Sequence, residues 1–123
     1  MGDTVVVHVG QCGVQIGASF WNQLRQHQCE KMFDNGYSSS KSADQHFARA
    51  VLVDSEPKPA AAAQNAGWMF RPESIVCEQS GRANNWSCGY MASADLLERA
   101  SDAVRKEIER CASLTGLMTK LKN

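Results

Sequence analysis

The sequence predicts an α/β fold: a parallel sheet with helices on its faces. Three observations carry that prediction. Short β-branched runs alternate with stretches of helical period along the 123 residues. The first run is continuous and apolar, as a strand covered on both faces must be. The change from strand to helix falls at a glycine, and repeated alternation of this kind implies right-handed βαβ crossovers.

Residues 4–9 (Thr-Val-Val-Val-His-Val) make the first strand, and Gly10 ends it. From Gln11 the period becomes helical. Cys12, Ile16, Phe20 and Leu24 recur every fourth residue and mark one face of a helix running to about residue 29. Gly13 and Gly17 lie on the neighbouring line, where small residues would let the helix lie close to a sheet. Residues 30–46 contain Asp-Asn-Gly-Tyr-Ser-Ser-Ser-Lys-Ser and no period, so the stretch 30–47 reads as an exposed, flexible loop.

Residues 50–54 (Ala-Val-Leu-Val-Asp) give the second strand, punctuated by Pro57 and Pro59. Residues 60–66 suit a short helix whose only apolar groups are methyls, and 74–77 a weaker third strand. The second long helix is expected over 93–112, where Leu97, Ala100, Val104, Ile108 and Cys111 share a face. Ser93 would cap it, Asp95 suits the positive end of its dipole, and Asp102 and Lys106 sit one turn apart on a solvated face. The tail from Leu114 begins like a fourth strand and stops at Lys120. So few parallel strands make a small doubly wound sheet, which reads as the first half of a larger domain with an open, aggregation-prone edge.

Composition narrows the function. Thirteen basic and thirteen acidic residues leave no net charge, which argues against a general nucleic-acid binder, since that affinity rests on clustered cations. There is no run of 18 apolar residues to span a membrane. The N-terminus lacks a secretory pattern, and Val6 stands where a myristoylation signal wants Ser or Thr. The five cysteines (Cys12, Cys29, Cys77, Cys88, Cys111) are odd in number and irregularly spaced, with no C-x-x-C pair. They read as reduced thiols of a cytoplasmic protein rather than as disulfides or a zinc site.

In an open α/β sheet, ligands bind beyond the carboxyl ends of the strands. Three segments land there. The first is Gly10-Gln-Cys-Gly-Val-Gln-Ile-Gly17, which opens a helix whose N–H groups suit a phosphate. It is neither G-x-G-x-x-G nor a P-loop, and its glycines could equally serve helix–sheet packing. The second is Asp54-Ser-Glu-Pro57, whose two carboxylates could hold a hydrated Mg²⁺ or form a capping or surface pair. The third is Gln79-Ser-Gly-Arg-Ala-Asn-Asn-Trp86, a loop whose amides can face an anion, with Arg82 turned to phosphate or to solvent. His8 reads as a hydrogen-bonded core residue. Cys12 is placed where a thiolate is favoured but has no evident base, so no catalytic residue is assigned.

Taken together, these segments with Phe70-Arg-Pro72 and Val104-Arg-Lys-Glu107 resemble, in order and spacing, the N-terminal part of the tubulin family. The resemblance implies a Rossmann-like GTPase domain, here its truncated N-terminal half over residues 1–123, with GTP and Mg²⁺ as ligands. By motif match, Gly10, Gln11 and Cys12 would lie over the phosphates and Gln15 near the base. Glu56 would stand at the Mg²⁺ with Asp54 supporting it, and Ala83 and Asn84 would complete the phosphate loop. Val14 replaces the family's usual Asn, and Arg82 a small residue. Asp54-Ser-Glu-Pro-Lys58 and Asn84-Asn-Trp-Ser-Cys-Gly-Tyr90 look most like the delta type, which implies centrioles, basal bodies and flagella, whereas Phe70-Arg-Pro72 is more like alpha and beta.

The family's Gly-Gly-Gly-Thr-Gly-Ser-Gly loop does not occur in the chain. The resemblance therefore predicts weak or no GTP binding by the chain alone, with hydrolysis shared between subunits. It predicts a guanine nucleotide and other tubulin subunits as partners, with no nucleic acid and no membrane. The other reading is a tubulin remnant that binds no nucleotide. An independent Rossmann-type enzyme would require the missing G-x-G-x-x-G and a complete sheet.

Overall fold

The computed structural model describes residues 2–27, 32–35, 46–55, 70–78 and 94–120. In chain order the elements are β1 (Asp3–Val9), α1 (Gly10–Gln26), β2 (Phe33–Asn35), β3 (His46–Ala48) and β4 (Ala50–Asp54). A 3₁₀ turn over Pro72–Ser74 leads into β5 (Ile75–Cys77), followed by α2 (Ala94–Glu109) and β6 (Leu114–Lys120). The main sheet has the order β5-β4-β1-β6, and every pair in it is parallel. The fold class predicted from the sequence is thus observed.

Period-two alternation within the strands builds two cores. Val6, Ala50 and Leu52 face α1, where they pack with Val14, Trp21, Phe33, Ala48 and Phe70. Val7, Val51, Val53 and Val76 face α2 and Ala103. All five residues of β4 are buried, which is why its sequence carries no polar alternation.

Several predicted elements differ in detail. The first helix ends at Gln26, and the stretch read as a loop holds a short ribbon in which β2 and β3 pair antiparallel, Phe33 opposite Ala48. The tail forms a seven-residue strand beside β1, so the strand flanked by β4 and β6 is the first one in the chain. The helix predicted at 60–66, the Ser93 cap and the segment 79–93 lie outside the described residues.

The buried helix faces are shifted by one residue from the predicted ones. On α1 the buried line is Gly13, Val14, Gly17 and Trp21, while Ile16 is 51% exposed. On α2 it is Ala103 and Glu107, while Leu97 is 66% exposed. Close approach selects these lines. A Cβ on Gly13 would stand 2.8 Å from the Lys120 carbonyl oxygen, and one on Gly17 2.8 Å from His8 Nδ1. The small residues therefore touch the sheet, and the larger apolar ones flank the contact.

Candidate functional site

β1 passes into α1 without an intervening residue. The turn is possible because Gly10 takes φ 80°, a left-handed conformation that other L-residues adopt only at a cost. Val9 stands at the N-cap in extended conformation and offers no side-chain cap, and the first turn of α1 holds no acidic residue. The cap thus offers the opening N–H groups no side-chain acceptor and the first turn no carboxylate, and they stand at the positive end of the helix dipole.

Sheet register aligns other groups with this turn. Val9 pairs with Val53, so Gly10 and Asp54 each directly follow the last paired position of β1 and β4, and Asp54 pairs with Cys77 on β5. Asp54 is buried, Cys12 is half-buried, and Gln11 and Gln15 are exposed, Gln15 one turn further along α1. Gly10, Gln11, Cys12 and Asp54 are therefore brought to one rim of the sheet. Glu56, Ala83 and Asn84 lie outside the described residues. The uncapped amides and small side chains suit an anion, and a buried carboxylate one strand away suits support of a cation's hydration shell. Among the described residues, no three His, Cys, Asp or Glu side chains are grouped closely enough to hold a metal ion by themselves.

His8 lies just beneath this rim and is fully buried. Its Nε2 accepts a hydrogen bond from Trp21 Nε1–H at 2.9 Å, which leaves the proton of the neutral ring on Nδ1. That nitrogen faces the backbone of Gly13 and Gly17. Burial, and then the charge of Lys120, lower the His8 pKa to about 4. The Lys120 ammonium sits over the Phe20 ring, 3.8 Å from its centroid. His8 is accordingly a neutral core residue, as its apolar strand foretold, and not an acid–base catalyst near pH 7.

The opposite rim carries a charge network that sequence reasoning missed. Glu107 is fully buried. It accepts from Arg71 Nη1 at 3.1 and 3.2 Å, from Ser74 Oγ–H at 2.6 Å and from Arg110 Nη1 at 3.1 Å. Arg71 Nη2 donates to Asp34, and its guanidinium lies 4.9 Å from the Phe47 ring centroid. Arg49 lies 3.6 Å from Asp3, 3.9 Å from Asp34 and, through Nη1, 3.6 Å from the Cys111 sulfur. Burial raises the Cys111 pKa. The available sequence signal was the placement of Arg49 and Arg71 against apolar runs, where a cation must find partners.

Cys12, Cys77 and Cys111 are free thiols. Among the described residues, no helix is long and apolar enough to cross a membrane.

Comparison with known proteins adds the following. The family model "Tubulin/FtsZ family, GTPase domain" matches residues 3–119. The chain is 40% identical, over 94% of its own length, to the nucleomorph tubulin beta chain of Guillardia theta. It is 39% identical over the same share to the tubulin beta chains of Trichophyton rubrum and of Bombyx mori. It spans 30%, 30% and 29% of those three proteins.

Proposed function

The chain belongs to the Tubulin/FtsZ family through its GTPase domain, and on that premise we propose that the rim at Gly10 binds the phosphates of GTP. The supporting observation is that the first turn of α1, which has no side-chain cap, opens at the strand end next to the one that carries Asp54. Gly10, Gln11 and Cys12 would offer backbone donors to the phosphates, with Gln15 toward the base. Ala83 and Asn84 would close the loop around them. Glu56 would hold Mg²⁺, with Asp54 orienting it or its waters. The cation, when bound, offsets phosphate charge.

The corresponding role is that of a cytoskeletal subunit assembling with other tubulin-family chains in microtubule-related structures. Hydrolysis would be completed between subunits, so no residue of this chain is assigned a catalytic part. We place the chain nearest the delta type on Asp54-Ser-Glu-Pro-Lys58 and Asn84-Asn-Trp-Ser-Cys-Gly-Tyr90, which points to centrioles, basal bodies and flagella. The three relatives carry beta-chain names, so location is the property to test. A tagged chain concentrated at basal bodies supports the delta reading, and one spread along the microtubule lattice refutes it.

Titration of the chain with fluorescently labelled GTP and Mg²⁺ tests the site. Weak but saturable, Mg²⁺-dependent binding is expected, weakened further in Glu56→Ala. Absence of saturable binding, with cooperative unfolding intact, favours the alternative of a remnant that binds no nucleotide.

A further inference from the structure

The network on the rim away from Gly10 joins elements distant in sequence, and one residue stands at its centre. Arg71 commits one end of its guanidinium to Glu107 on the last turn of α2 and the other to Asp34 on β2. Its face covers Phe47 on β3. The fork is planar and rigid, so its two ends cannot be repositioned independently. Glu107 is in turn fixed by Ser74 and Arg110, and Arg110 pairs with Glu73. On the ribbon side, Asp34 also faces Arg49, whose backbone N–H donates to the Met32 carbonyl at 3.0 Å. We propose that Arg71 is a two-ended tie through which the last turn of α2 sets the pose of the β2–β3 ribbon.

The ribbon has only three residues per strand, too few for its own ladder to define its position. Phe33 anchors one side of it in the core against Trp21, their ring centroids 5.3 Å apart. The Asp34–Arg71–Glu107 line supplies a second attachment. A partner pressing on the end of α2 would therefore be felt at the ribbon, and the reverse, because such coupling is reciprocal.

Amide hydrogen exchange on the full chain tests this with Glu107→Gln, Asp34→Asn, Arg71→Lys and the Glu107→Gln/Asp34→Asn double variant. Glu107→Gln should speed exchange at the ribbon amides roughly tenfold, and Asp34→Asn should do the same over the last turn of α2. Arg71→Lys keeps the charge without the fork and should reproduce both effects. The double variant should exceed neither single effect at either end. Changes confined to the substituted side, additive changes, or a uniform rise that includes the central strands would each overturn the proposal. If Glu107→Gln fails to fold, Asp34→Asn and Arg71→Lys separate the same outcomes, since Asp34 is only partly buried.

Discussion

Acidification should expose His8 as an internal pH-dependent element of stability. In the folded chain its pKa is about 4, against an ordinary value of 6.5. The unfolded chain therefore binds more protons than the folded one between those limits, and stability must fall as pH falls through that window. Integrating the two titrations gives a loss of about 2 kcal/mol at about pH 5 and about 3 kcal/mol at about pH 4, relative to neutral pH. Carboxylates also titrate in this range, so the useful quantity is a difference. Gln in place of His8 keeps an acceptor for Trp21 Nε1–H and has no titration of its own. Urea unfolding of both proteins across the range should show the gap between them shrinking, or reversing, by that amount toward acid. A pH-independent gap, or a His8 imidazole resonance titrating near 6.5, would refute the inference that the ring is buried neutral.

The other expectations concern contacts around the same core and at the opposite rim. Lys120→Met removes the cation beside His8, so the imidazole resonance should titrate at higher pH than in the parent chain. Gly17→Ala places a methyl 2.8 Å from His8 Nδ1 and should cost about 1–3 kcal/mol in urea unfolding. Gly10→Ala meets nothing within 4 Å, so its cost of about 1 kcal/mol in the same assay should come from backbone conformation alone. Ser74→Ala leaves a buried carboxylate oxygen short of one donor and should cost about 2 kcal/mol on urea unfolding.

The parts of the fold legible in the sequence were those set by local pattern. β4 occupies the predicted residues because a strand buried on both faces is an uninterrupted apolar run. The helices were legible as helices, and Gly13 and Gly17 lie against the sheet as expected, but the apolar lines do not form the contact. Hydrophobicity marks Ile16 and Leu97, whereas contact with the sheet selects Gly13, Gly17 and Ala103, whose small size lets the backbones approach. The ribbon was missed because three-residue strands have no readable period, and its pairing spans residues far apart in sequence. The ionic network was illegible for a related reason, since the burial of Glu107 follows only from partners supplied by other segments. Of the candidate site, the glycine-opened turn and Asp54 could be placed from order and spacing because both follow directly from strand ends.

The direct passage from β1 to α1 has a mechanical corollary. Strand and helix meet at Gly10 with no linker to take up slack. An anion drawn to the amides of that turn therefore pulls on the middle of the sheet as well as on the turn. Ligation there should register as a higher melting temperature for the whole folded body, and not as the local stiffening of a single loop.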